Sequence, residues 1–190
     1  MADFYKLNFL GLERELPILP APSGINIAGF NSVGDMELLS KAAEHLINEI
    51  KSEKIEFDVI LTTELKGIPI SQEVARLVKK DYVCLRKAKK CYMLDPISVT
   101  SESITSGKVE YFVSSLEFEK LKGKKVLFVD DVFSTGATFK NIINFSEKSG
   151  FDIVAGAFIL KEVPKNAVDE PLNFDFNGTK VLCCAPLPLP

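Results

Sequence analysis

Long apolar runs are missing from this sequence. None approaches the roughly 18 residues that a membrane span needs, and Met1 to Leu10 lacks a basic stretch ahead of an apolar core, so neither a span nor a secretory leader is expected. Histidine is nearly absent. The single copy, His45, has no serine, aspartate or cysteine nucleophile pattern around it, which excludes triad chemistry and leaves a surface or boundary residue. Cysteine is sparse: Cys84, Cys91, Cys183 and Cys184 contain no C-x-x-C pair, and the adjacent two cannot easily bridge each other. Neither a zinc site nor a disulfide framework is expected, and reduced thiols in a cytoplasmic protein are the default. Excess positive charge is missing too. The net charge is −3 and the pI about 5.4, which speaks against a nucleic-acid partner. The one basic cluster, Arg86-Lys87-Ala88-Lys89-Lys90, suits a small anion better than a polymer. There are no internal repeats or low-complexity segments.

What remains is ordinary globular material. The 190 residues, 46% of them apolar, can bury a core and are expected to form one domain over 1–190. Residues 1–34 are short apolar pieces broken by Pro17, Pro20, Pro22, Gly24, Gly29 and Gly34, and they predict no regular element. From Asp35, a capping residue, Leu39, Ala42, Ala43, Leu46, Ile47 and Ile50 recur at helical spacing and predict a helix over 36–50. Phe57 to Thr62 reads as a buried strand, Pro69 to Lys80 as a helix, and Tyr82 to Arg86 as a strand. Residues 92–108 read as a long connection, and Lys108 to Val113 as a strand returning from it. Lys125 to Asp130 is a near-continuous apolar strand, Gly136 to Lys148 a helix closed by Gly150, and Ile153 to Leu160 a further buried strand. The Pro-rich tail, 164–190, reads as an irregular cap with a short strand from Thr179 to Cys183. This alternation predicts an α/β fold with a mostly parallel central sheet flanked by helices. Ligands of such sheets sit beyond the carboxyl ends of the strands, where segments 64–67, 86–90 and 130–138 fall.

The most informative segment is Val126-Leu127-Phe128-Val129-Asp130-Asp131-Val132-Phe133-Ser134-Thr135-Gly136-Ala137-Thr138. Four apolar residues carry two consecutive acids to a strand end, and a small, hydroxyl-rich turn then opens a helix. Backbone N–H groups of such a turn, backed by the helix dipole, hold a phosphate, and a glycine lets the backbone come close. Two acids beside that cradle would repel the phosphate itself, but they suit sugar hydroxyls or a Mg²⁺ ion.

This segment resembles, at all 13 positions in character, the signature of the type I phosphoribosyltransferases. The resemblance implies that fold, with a small hood built mainly from 1–34 and 164–190 and a mobile lid over 92–108. It implies binding of phosphoribosyl pyrophosphate and Mg²⁺ and transfer of the phosphoribosyl group to a purine in nucleotide salvage. By the same resemblance Asp130 and Asp131 face the ribose hydroxyls, Asp131 places the metal directly or through water, and Ser134, Thr135, Gly136, Ala137 and Thr138 bind the 5′-phosphate. Thr63 to Pro69 looks like the family's pyrophosphate loop, with Glu64, Leu65, Lys66 and Gly67 at its centre and a cis peptide expected between Glu64 and Leu65. Arg86-Lys87, with Lys90 after it, resembles the adenine phosphoribosyltransferase pattern that grips the diphosphate.

Adenine-specific members place a Glu in the lid, a position that falls here on Thr105; Glu102, three residues earlier, is the candidate for proton handling. Members acting on hypoxanthine and guanine carry an acid where this chain has Ser134, which points to adenine, with xanthine or hypoxanthine as alternatives. Phe30 is a candidate base-stacking ring or else a plain core residue. An orotate enzyme is disfavoured, because 92–107 holds no Lys or Arg. The family also contains non-catalytic phosphoribosyl pyrophosphate sensors; their DNA-binding domain is not expected here, and a sensor working through a protein partner is the alternative. Family members are usually homodimers, and a homodimer is expected.

Overall fold

The computed structural model describes residues 3–20, 24, 26–103 and 107–189. In chain order its elements are strands β1 (Phe4–Phe9), β2 (Leu12–Pro20) and β3 (Asn26–Ala28), helix α1 (Met36–Ser52), strand β4 (Val59–Thr63), helix α2 (Gly67–Val78) and strand β5 (Tyr82–Leu85). They continue with strands β6 (Ile97–Ser103) and β7 (Gly107–Val113), a single helical turn α3 (Ser115–Phe118), strand β8 (Lys125–Phe133), helix α4 (Ala137–Ser149), strand β9 (Asp152–Val163), a short turn (Lys165–Ala167), and strands β10 (Phe174–Phe176) and β11 (Thr179–Pro188).

Six strands make the central sheet in the order β10-β11-β9-β8-β4-β5. All neighbours in it are parallel except β10, which runs antiparallel to β11. Helices α1 and α2 cover one face, where Leu39, Leu46, Ile50, Ile70 and Val74 pack with Ile60, Leu127 and Val129. Helix α4 and the 107–121 segment cover the other, through Phe139, Ile142, Val113 and Phe118 against Leu61, Phe128 and Phe158. The Phe128 and Phe139 rings stack with centroids 5.6 Å apart; fully burying one such ring contributes about 2–3 kcal/mol.

Three segments differ from the sequence reading. Residues 1–34 hold an antiparallel sheet, β1-β2-β3, whose Leu7, Phe9, Leu12 and Leu16 point into the α1 side of the core. The 92–108 connection contains strand β6, which pairs antiparallel with β7 from Ile97↔Val113 to Ser103↔Gly107. The tail is not an irregular cap: β11 pairs with β9 along Lys180 to Pro188 and belongs to the central sheet. The hood is therefore the N-terminal sheet together with the part of the C-terminal segment that precedes β11. Smaller shifts are that β8 runs past Asp130 to Phe133, and that α2 begins at Gly67 with Pro69 inside its first turn. No helix among the described residues is long and apolar enough to cross a membrane.

From β4 the chain moves outward to β5, whereas from β8 it moves the other way to β9. The sheet thus reverses direction between β4 and β8, and helices α2 and α4 leave on opposite faces. A crevice opens beyond the strand ends at such a switch point. The ladder confirms the opening, because β4 pairs with β8 only as far as Leu61↔Phe128. Asp130 and Asp131 follow directly, past the last rung.

Candidate active site

Asp130 and Asp131 form the floor of the crevice. Asp130 Oδ1 accepts the Asp131 N–H at 2.9 Å, and the Thr63 hydroxyl donates to Oδ2 at 3.1 Å. Burial, and then the like charge of Asp131, push the Asp130 carboxyl up to about 7. Asp131 is only 7% exposed. Its Oδ2 lies 2.5 Å from the Lys66 ammonium but makes no aligned hydrogen bond. Two adjacent acids buried at a strand end are electrostatically unfavourable unless hydroxyl donors or a cation meet them.

The loop after β4 closes on this pair. A Cβ on Gly67 would lie 2.5 Å from Asp130 Oδ1 and would also strike the Thr62 hydroxyl, so only glycine fits there. The Glu64–Leu65 peptide is cis, as the family pattern implied. Lys66 also donates to the Phe30 carbonyl at 3.3 Å. Leu65 is exposed.

Glu64 ties in the basic segment. Its N–H donates to the Leu85 carbonyl at 2.8 Å; its Oε2 accepts the Lys87 N–H at 2.9 Å, and its Oε1 lies 3.9 Å from the Lys90 ammonium. Segments 63–67 and 86–90 are thus joined to each other, and the first of them to 130–131. The Arg86 guanidinium forms a two-pronged pair with Glu117, at 3.0 Å on each prong.

The turn after β8 lines a cavity of about 220 Å³ with Asp130, Phe133, Ser134, Thr135, Gly136, Ala137 and Thr138 on its wall. Gly136 sits at φ 76°, a left-handed conformation that other residues rarely adopt. A Cβ there would come within 2.5 Å of the Phe176 ring and 2.8 Å of Phe133. The Thr135 hydroxyl accepts from the Ala137 N–H at 3.4 Å, and Ser134 donates to Glu162 at the end of β9.

Two expected residues are placed away from the crevice floor or only in part. Phe30 is 7% exposed and packs in the α1-side core. Glu102 lies in β6 opposite Lys108, with its side chain outside what is described, and Thr105 lies outside the described residues. His45 is half-buried on α1, at the boundary its spacing suggested.

Sequence reasoning missed Thr63 as a partner of Asp130, Phe176 as the lid on Gly136, and Glu162 and Glu117 as acids beside the cradle and the basic segment. Only Thr63 carried a local signal, a hydroxyl at a strand end. The others depend on contacts closed over long stretches of chain.

Comparison with known proteins gives these elements a family. The phosphoribosyl transferase domain family matches residues 30–175. An adenine phosphoribosyltransferase of Desulforamulus reducens is 30% identical over 172 residues, covering 88% of this chain and 94% of that protein. A hypoxanthine/guanine phosphoribosyltransferase of Methanothermococcus okinawensis is 35% identical over 117 residues, covering 62% of this chain and 59% of that one. Among solved structures, the adenine phosphoribosyltransferase of Thermoanaerobacter pseudethanolicus superposes with a TM-score of 0.68 at 20% identity over 90% of this chain and 95% of that one, a likeness of fold.

Proposed function

The chain belongs to the phosphoribosyl transferase domain family, and on that footing we propose that it is a purine phosphoribosyltransferase of nucleotide salvage that transfers the phosphoribosyl group of phosphoribosyl pyrophosphate to adenine, giving AMP and pyrophosphate. The observation that carries the reading is the meeting of three groups at one switch point: the half-buried Asp130 beside the buried Asp131, the Lys66–Gly67 loop pressed against them, and the Ser134–Thr138 cradle that follows.

In this reading a purine nitrogen attacks ribose C1 as pyrophosphate departs, and positive charge builds on the ring. Asp130 and Asp131 accept from the ribose hydroxyls. The turn over 134–138 takes the 5′-phosphate on backbone N–H groups. Loop 64–67 with Arg86, Lys87 and Lys90 stabilises the leaving polyanion, so positioning and fixed charge do most of the work. Mg²⁺ fits the donors present. Asp131 Oδ2 is a buried hard oxygen without an aligned hydrogen-bond donor, of the kind Mg²⁺ prefers. That suits an ion held by one carboxylate, directly or through water, and by substrate oxygens. When bound, the ion supplies further positive charge for the diphosphate. The β6–β7 hairpin serves as the lid, excluding water, with Glu102 as the candidate for handling the base proton. The enzyme works as a cytoplasmic homodimer.

Adenine is supported by Ser134 in place of an acid and by the Desulforamulus relative, which spans most of the chain. A second reading, hypoxanthine or guanine as the base, is supported by the Methanothermococcus relative, 35% identical over 117 residues.

The test is to supply purified protein with phosphoribosyl pyrophosphate, Mg²⁺ and adenine, hypoxanthine, guanine or xanthine in turn, and to detect the nucleotide by mass. AMP alone is expected. Another nucleotide keeps the chemistry and overturns the base. Tight binding of phosphoribosyl pyrophosphate without turnover points to a sensor, and no binding at all sinks the reading.

A further inference from the structure

Arg86 is held more tightly than a residue at the end of an edge strand needs to be. Its backbone N–H donates to the Phe112 carbonyl at 2.9 Å and its own carbonyl accepts from the Phe112 N–H at 2.7 Å, which anchors it to β7. The guanidinium lies over the Tyr92 ring, 5.8 Å from the centroid. Nη1 donates to the Cys84 carbonyl and to Glu117 Oε2, both at 3.0 Å, and Nη2 donates to Glu117 Oε1 at 3.0 Å. A guanidinium carries five N–H donors. Among the described residues these contacts use both hydrogens of Nη1 and one of Nη2. The Nε–H and the second Nη2 hydrogen are left, and they lie side by side as a two-donor fork of the kind that matches a pair of phosphate oxygens.

Glu117 is itself held in place. It is the reciprocal partner in the α3 capping box, accepting the Ser114 N–H at 3.4 Å, while the Ser114 hydroxyl donates to the Leu94 carbonyl at 3.3 Å. Arg86 and Glu117 share a cavity of about 240 Å³ with Glu64 of the loop after β4, so the pair borders the proposed pyrophosphate site. An exposed ion pair contributes little to stability. This one is half-buried and two-pronged, and what it fixes is a direction.

We propose that Glu117 is a positioning residue for Arg86, orienting its guanidinium so that the free fork is available to the diphosphate of the substrate. The inference rests on the phosphoribosyl pyrophosphate reading above and adds to it a residue outside every motif that the sequence offered.

The experiment compares wild type, Glu117→Gln, Arg86→Ala and the double variant by initial-rate kinetics and by calorimetric titration with phosphoribosyl pyrophosphate. Glu117→Gln is expected to raise KM and Kd for phosphoribosyl pyrophosphate roughly tenfold with kcat within about twofold, and the double variant is expected to be no worse than Arg86→Ala, the signature of coupled residues. Glu117→Asp keeps the charge but withdraws the carboxylate by one methylene; it is expected to move KM the same way by less, and it covers the case in which Glu117→Gln does not fold. Unchanged or tighter binding in the folded Glu117 variants overturns the proposal, as does a Glu117 effect that adds in full to that of Arg86→Ala. If wild type itself neither binds nor turns over phosphoribosyl pyrophosphate, the functional reading fails and this inference falls with it, a result distinct from the other two.

Discussion

Single residues at the crevice are set against stability. Asp130 is the clearest case, a half-buried carboxyl beside a second carboxyl, pushed up to about 7. A carboxyl raised in the folded state contributes stability that is fully present below its ordinary range and lost as the pH rises through the folded value. Replacement by asparagine removes that loss. Asp130→Asn is therefore expected to melt higher than wild type at about pH 8, with the difference shrinking toward about pH 4, while losing phosphoribosyl transfer. Thermal unfolding of both proteins across that range checks it, and a variant less stable at high pH contradicts the assignment. Gly136 is constrained for another reason. It needs φ 76° and has Phe176 within 2.5 Å of where a Cβ would stand. Gly136→Ala combines left-handed strain with overpacking and is expected to lose about 2–4 kcal/mol. Denaturant unfolding measures this directly, and an unchanged midpoint would show that the aromatic lid yields.

At the scale of elements, legibility followed periodicity. Strands β4, β8 and β9 are buried on both faces and read as apolar runs, and α1 announced itself through a 3.6-residue repeat and the Asp35 cap, whose side chain does accept the Leu38 N–H. The N-terminal sheet did not. Its inward residues, Leu7, Phe9, Leu12 and Leu16, alternate with polar ones, and Pro17 and Pro20 masked the pattern. Pro186 and Pro188 disguise the length of strand β11 in the sequence; they sit beyond Val181, the last residue paired with β10, where a missing N–H is tolerated. The 126–138 segment was legible because strand, acids and turn are contiguous. The Thr63–Asp130 bond spans 67 residues and the Arg86–Glu117 pair 31, and no local pattern announces either. The N-terminal sheet is fastened to α1 by Arg14, which forks onto Asp35 at 2.6 and 3.0 Å and reaches Glu37 at 2.9 Å. That hydrogen bond holds the Asp35 carboxyl below its ordinary range. The stabilisation is present above that range and is lost as the pH falls through the depressed value. Arg14→Ala is expected to be less stable by about 1 kcal/mol at neutral pH, with the difference from wild type fading in acid. A gap that persists unchanged in acid would place the effect in packing instead.

The whole molecule is a sheet with one switch point, and three distant stretches of chain, 63–67, 86–90 and 130–138, converge there. Each brings charge or crowding of its own: a half-buried and a buried acid, a crowded glycine, a cluster of cations. Some of these charges meet one another, as Lys66 meets Asp131. A ligand that carries hydroxyls for the acids and phosphates for the cations would satisfy all three stretches at once, and would bind the folded chain alone. Such a ligand at a hundred times its Kd stabilises by about 2.7 kcal/mol. For a chain of this size that is a rise in Tm of roughly 5–10 °C. Phosphoribosyl pyrophosphate with Mg²⁺ is expected to give that shift in wild type, and Asp131→Asn to lose most of it, because that variant removes the acid that pairs with Lys66 of the loop while leaving the folded frame in place. A scan in which neither ribose 5-phosphate, pyrophosphate nor the intact substrate moves Tm would mean that the convergence is structural, and the assignment of the crevice as a phosphoribosyl site would not stand.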